Sequence, residues 1–150
     1  MQPQQKAIAS FRDGFNCSQS VLLACGGGNR GLTDDQCLRV ACAFGAGMGR
    51  RQMTCGAVTG ALMAIGLQHG KSLGDAEDKK ADTYARANAL MDEFTRRHQS
   101  ITCRDLLNGL DLHNPDDYAL IKEQNLFSTL CEKYVNDAVT IAQEIINKPS

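Results

Sequence analysis

The chain has 150 residues, a net charge of -1 and seven cysteines. That length predicts one domain with a core of its own, and the balanced charge, with no basic stripe, argues against nucleic acid as the main partner. No stretch reaches the ~20 apolar residues of a membrane span, and the first residues, Met1 to Lys6, lack a signal peptide's apolar run.

Gln4 to Phe15 reads as a short helix with Ala7, Ile8 and Phe11 inward, stopping near Gly14. Asn16 is a capping residue for a second helix, Cys17 to Cys25, which Gly26, Gly27 and Gly28 end. Thr33 to Gln36 has the capping-box pattern and starts a third helix through Val40, Ala41 and Phe44. Gly45 to Arg51 is then a glycine-rich loop. Its glycines fail the dinucleotide fingerprint, since Arg50 stands where the third is needed and no strand precedes. A better use is to bring backbone N–H groups, and Arg50 or Arg51, towards a negatively charged site.

Thr54 to Gly66 holds the most constrained residues of the chain. Val58, Leu62 and Ile65 form an apolar stripe, and Gly56, Gly60 and Ala64 follow a four-residue step. This reads as a buried central helix with a bare face that allows close approach. Asp75 to Arg97 reads as the longest helix, with Ala81, Tyr84, Ala85, Asn88, Met91 and Phe94 on an apolar face. Thr102 can cap Cys103 to Leu107, Asn114 and Pro115 open another helix, and Ser128 begins the last. Cys131, Val135, Ala138, Ala142 and Ile145 line one side of that last helix. No strand or repeat stands out, so the expected fold class is all-α, a single-domain helical bundle.

Asn16-Cys17, Thr54-Cys55 and Thr102-Cys103 each place a capping residue before a cysteine at an expected first helical position. There the helix dipole favours a thiolate, the form that attacks disulfides and binds metals. Cys131 can add a fourth sulfur. Cys25, Cys37 and Cys42 read as core packing, and His69, His98 and His113 as solvated surface residues. An odd cysteine count excludes a complete disulfide framework within the chain, and the C-x-x-C, ferredoxin and zinc-finger spacings are absent. Any four-cysteine site is therefore assembled from distant segments. A cytoplasmic setting is expected, where thiols stay reduced.

The motifs resemble a known family. Asn16 to Val21, Phe44 to Gly49, Cys55 to Ala61, Cys103 to Leu107 and Leu126 to Cys131 with Val135 are similar to the C_GCAxxG_C_C proteins. The resemblance implies an all-helical domain with a redox role, and its four cysteines fall on Cys17, Cys55, Cys103 and Cys131. The non-haem domain of split-Soret cytochromes c is similar too. That likeness implies an iron–sulfur centre and a dimer, although this chain has no haem motif. The expectation is thus an electron-transfer or redox-sensing protein, with those cysteines holding an iron–sulfur cluster of the 2Fe-2S type. Gly56, Gly60 and Arg50 would lie beside the cluster, and the partners would be an unidentified redox protein and a second copy. The alternatives are a metal-free thiol–disulfide oxidoreductase using the same cysteines, and a structural zinc site. Cys17 or Cys55 should then react first with an alkylating agent in reduced, metal-free protein.

Overall fold

The computed structural model describes residues 1–150 and is all-helical in a single body. The chain runs α1 Pro3–Arg12, α2 Cys17–Gly26, α3 Asp34–Ala41, a 3-10 turn Cys42–Phe44, α4 Gly45–Met48 and α5 Gly56–His69. It continues through α6 Glu77–His98, α7 Cys103–Leu106, α8 Pro115–Glu123, a π-helical turn Phe127–Cys131 and α9 Glu132–Asn147. The only β-type pairing is an isolated bridge between Thr54 and Thr102. No helix is long and apolar enough to cross a membrane.

Local chemistry sets the helix starts. The Asn16 side chain accepts from Gln19 N–H while Gln19 reaches back to Asn16, and Thr33 and Gln36 do the same for α3. Asn114 caps α8 by accepting from Asp116 and Asp117 N–H, with Pro115 at the first position.

The centre of the bundle is a pair of helices. Every residue from Ser18 to Gly26 of α2 is buried, and α5 packs on it more extensively than any other two elements do. Gly60 makes the close approach possible: a Cβ there would lie 2.7 Å from the Ser18 carbonyl oxygen and 3.1 Å from the Val21 Cβ. Val58 and Ile65 are fully buried, whereas Leu62 is only half-buried. α9 covers the pair with Val135, Ala138, Val139, Ile141 and Ala142, all at 0 % exposure.

The long helix α6 differs from expectation. It buries Arg86, Leu90 and Phe94, while Ala81, Tyr84, Ala85 and Asn88 face solvent. Arg86 explains the rotation, because a buried guanidinium must be paired. It donates to Asp82 at 2.8 Å and to the Ile145 carbonyl at 2.5 Å, tying α6 to the end of α9. His98 is likewise not a solvated residue. Its Nε2 lies 2.7 Å from Asp137 Oδ2, and its ring meets Phe94 and Tyr134.

The glycine loop is an ordered left-handed turn. Ala46, Gly47, Met48, Gly49 and Arg50 have φ between 53° and 70°. Such a conformation costs roughly 1–2 kcal/mol for each non-glycine residue, so the surroundings must hold it. Gly47 lies so close to Met53 N and Gln52 Cα that a Cβ would overlap both. Buried Gln52 fastens the turn, donating to the Leu110 carbonyl and accepting from Leu112 N–H, both at 2.8 Å.

Candidate cysteine site

The four family cysteines line one cavity of about 130 Å³. Each arrives on a different element. Cys17 is the first residue of α2, Cys55 immediately precedes α5, Cys103 is the first residue of α7, and Cys131 ends the π-helical turn before α9. Phe11, Leu106, Leu107, Leu112, Phe127 and Tyr134 complete most of the wall, which holds no carboxylate, lysine, arginine or histidine. All seven thiols are free.

A short backbone clamp joins two of these segments. Cys55 N–H donates to the Ile101 carbonyl at 2.7 Å, and Cys103 N–H donates to the Met53 carbonyl at 2.6 Å. The Thr54–Thr102 bridge therefore sets Cys55 and Cys103 side by side across 48 residues of chain, from position 55 to position 103. It also alters what was expected of Cys55. That residue is the cap of α5 rather than its first helical residue, and its N–H is already used.

Gly56 makes room for Cys17. A Cβ on Gly56 would collide with Cys17 Sγ and would sit 3.1 Å from Ser18 N. On the other side, Gly45 presses on the Asn16 side chain so closely that a Cβ would overlap it. The cap of α2 and the first sulfur are thus both seated against glycine.

The thiols differ in their acidity. Cys17 is lowered to about 7, first by the facing Cys55 thiol and then, against the opposing effect of burial, by the backbone N–H groups of Ala46, Ser18 and its own residue. The left-handed turn supplies the Ala46 N–H. Cys55 is held well above the ordinary thiol value, first by its bond to Cys17 and then by burial. Burial raises Cys103 to about 12, and negative charge on Cys17 adds to it. Cys131 is raised for the same reasons, with Cys103 contributing as well. The four sulfurs are therefore close enough that charge on one opposes charge on the next.

The expectation of three thiolate-favouring helix starts is met by Cys17 alone. At Cys103 the helix is one turn long with no side-chain cap, and burial outweighs its dipole. Cys25 and Cys37 are buried in the core, as expected, but Cys42 is exposed. Gly60 and Arg50 are not in the cavity wall: Gly60 lies against α2, and Arg50 lines an adjoining groove. Sequence reasoning missed Tyr134, whose hydroxyl donates to the Leu106 carbonyl at 2.7 Å and so ties α9 to the Cys103 turn. It also missed Gln52. Its polar side chain beside the glycine run was a visible signal.

These acidities predict a pH profile. In reduced, metal-free Cys42→Ser protein, alkylation of Cys17 should rise through an inflection at about pH 7, because the thiolate is the nucleophile. Below that pH the sulfur is protonated and the rate falls. Mass mapping across pH checks this, and an inflection at about 8.5, the ordinary thiol value, would contradict it.

Fold and cavity together define an all-helical protein organised around a buried four-cysteine site. The family model described as "Putative redox-active protein (C_GCAxxG_C_C)" matches residues 15–145, and the chain belongs to that family. No curated protein gives a significant match. No solved structure does so either.

Proposed function

We propose that the chain is an electron-transfer or redox-sensing protein whose four-cysteine cavity holds an iron–sulfur cluster of the 2Fe-2S type. The observation that carries this reading is the convergence of Cys17, Cys55, Cys103 and Cys131 on one cavity of about 130 Å³. The donor chemistry fits, since iron–sulfur clusters are held by four thiolates. A structural zinc site would draw the same four sulfurs to ~2.3 Å from one ion, and metal analysis separates it from a cluster.

When bound, such a cluster supplies a one-electron couple within a protein interior. The chain's own residues would tune it. The apolar wall of Phe11, Leu106, Leu107 and Leu112 keeps water from the sulfurs. The N–H groups of Ala46 and Ser18 face the Cys17 sulfur and favour its negative charge, which shifts the potential upwards. The surrounding compartment would be the cytoplasm and the partner another redox protein.

A second reading is favoured by one pair. Cys17 and Cys55 face each other with acidities pushed apart, the arrangement of an attacking and a resolving thiol. The Cys17 thiolate would attack a substrate disulfide, releasing one thiol. Cys55 would then attack the mixed disulfide, lose its proton and release the second thiol. The protein pair ends oxidised and the substrate disulfide reduced.

Visible absorption of freshly purified anaerobic protein, with iron and sulfide analysis, separates the two. Broad visible bands with matching iron and sulfide are expected. A colourless, iron-free protein whose Cys17 and Cys55 titrate as a dithiol would overturn the cluster reading in favour of the second.

A further inference from the structure

An open groove adjoins the cysteine cavity. Its volume is about 520 Å³, within the range of sites for small molecules. The two spaces share Asn16, Ala46, Leu112 and Phe127 in their walls, so they adjoin along these residues. Asn16 is fixed by its capping bonds and by a donated bond to the Cys42 carbonyl at 2.9 Å. Leu112 belongs to no helix and is anchored through its backbone to Gln52. Its apolar side chain, unlike that of Asn16, has no hydrogen bond holding it in the wall.

The groove has a definite charge. Arg50 lines it, and no carboxylate does. Arg50 takes part in none of the ion pairs of the chain. Its backbone is held in the left-handed turn, where its carbonyl lies 2.9 Å from His113 Nε2. An unneutralised guanidinium on a fixed turn can bind a carboxylate through two parallel hydrogen bonds.

We propose that this groove is the entrance by which a small carboxylate-bearing disulfide reaches the Cys17 sulfur, with Arg50 holding the carboxylate and Leu112 as the door. This rests on the second, thiol–disulfide reading of the cavity, in which Cys17 is the attacking thiol rather than a cluster ligand. In the step itself the Cys17 thiolate attacks one sulfur of the disulfide, and the disulfide bond breaks. Cys17 is oxidised to a mixed disulfide, and the other half leaves as a thiolate.

The test uses reduced, metal-free Cys42→Ser protein and two probes. One is dithiobis(nitrobenzoate), which carries two carboxylates, and the other is neutral dithiodipyridine. At low ionic strength, Arg50→Glu should slow the anionic probe by about tenfold and the neutral probe by less than about twofold. The difference should vanish near 1 M salt, where the screening length is only about 3 Å. Leu112→Ala should speed both probes, and peptide mapping should find the label on Cys17. Equal slowing of both probes, or first labelling at Cys25 or Cys37, would overturn the entrance. Iron, sulfide and dithiol titration judge the redox reading separately, while the Arg50 discrimination decides the entrance.

Discussion

Gly60→Leu is expected to destabilise the protein by at least 1–3 kcal/mol, the usual cost of overpacking a filled interior. Even a single methyl group at Gly60 would sit 2.7 Å from the Ser18 carbonyl oxygen. That oxygen belongs to the backbone of a fully buried helix and cannot step aside, so α2 and α5 would have to separate. Gly66 is the informative comparison, being on the same helix with nothing within 4 Å of its would-be Cβ. Gly66→Ala should therefore raise stability by up to about 1 kcal/mol, the difference in helix propensity. Gly27, which caps the end of α2, offers no such room. A Cβ there would lie 2.6 Å from Asp34 Oδ1 and 2.7 Å from the Leu23 carbonyl. Urea melts of Gly60→Leu and Gly66→Ala measure this, and equal midpoints for the two would contradict the packing account.

Gly56→Ala is expected to damage the site more than the fold. The added methyl group falls on Cys17 Sγ, so the sulfur must leave the position where Ala46 and Ser18 N–H groups face it. The Cys17 inflection in the alkylation profile should then move from about 7 towards the ordinary thiol value of about 8.5. A loss of stability of about 1–3 kcal/mol should accompany it. Cluster content, measured as iron per chain, should fall by at least about tenfold, since one of four ligands is displaced. An unchanged inflection and iron content would show that Cys17 does not depend on the bare face of Gly56.

The fold was legible because helix signals are local. The reciprocal bonds at Asn16 and Gln19, and at Thr33 and Gln36, lie within four residues of sequence, and no long-range contact is needed to recognise them. The membership of Cys17, Cys55, Cys103 and Cys131 in one set came from the family resemblance, not from spacing. What brings them together is non-local. The Thr54–Thr102 bridge is a single pair with no alternating pattern around it. The left-handed turn hides for another reason. Glycines at 45, 47 and 49 suggest a loop, but the positive φ at Ala46, Met48 and Arg50 goes with the close seating of Gly47 against Gln52 and Met53, which no local pattern announces. The acidity of Cys55 was misjudged because helix position was weighed without burial and without its bond to Cys17. On α6, the apolar count favoured Ala81 and Tyr84, whereas the paired Arg86 determined which face turned inward.

Seven single Cys→Ser variants, purified anaerobically and analysed for iron, sulfide and visible absorption, test the unity of the site most directly. Substitution at Cys17, Cys55, Cys103 or Cys131 should each abolish or strongly reduce the bound iron and its colour. Substitution at Cys25, Cys37 or Cys42 should leave both at the level of the unsubstituted protein. Iron lost with Cys25 or Cys37 and retained with Cys103 or Cys131 would contradict a single four-cysteine site.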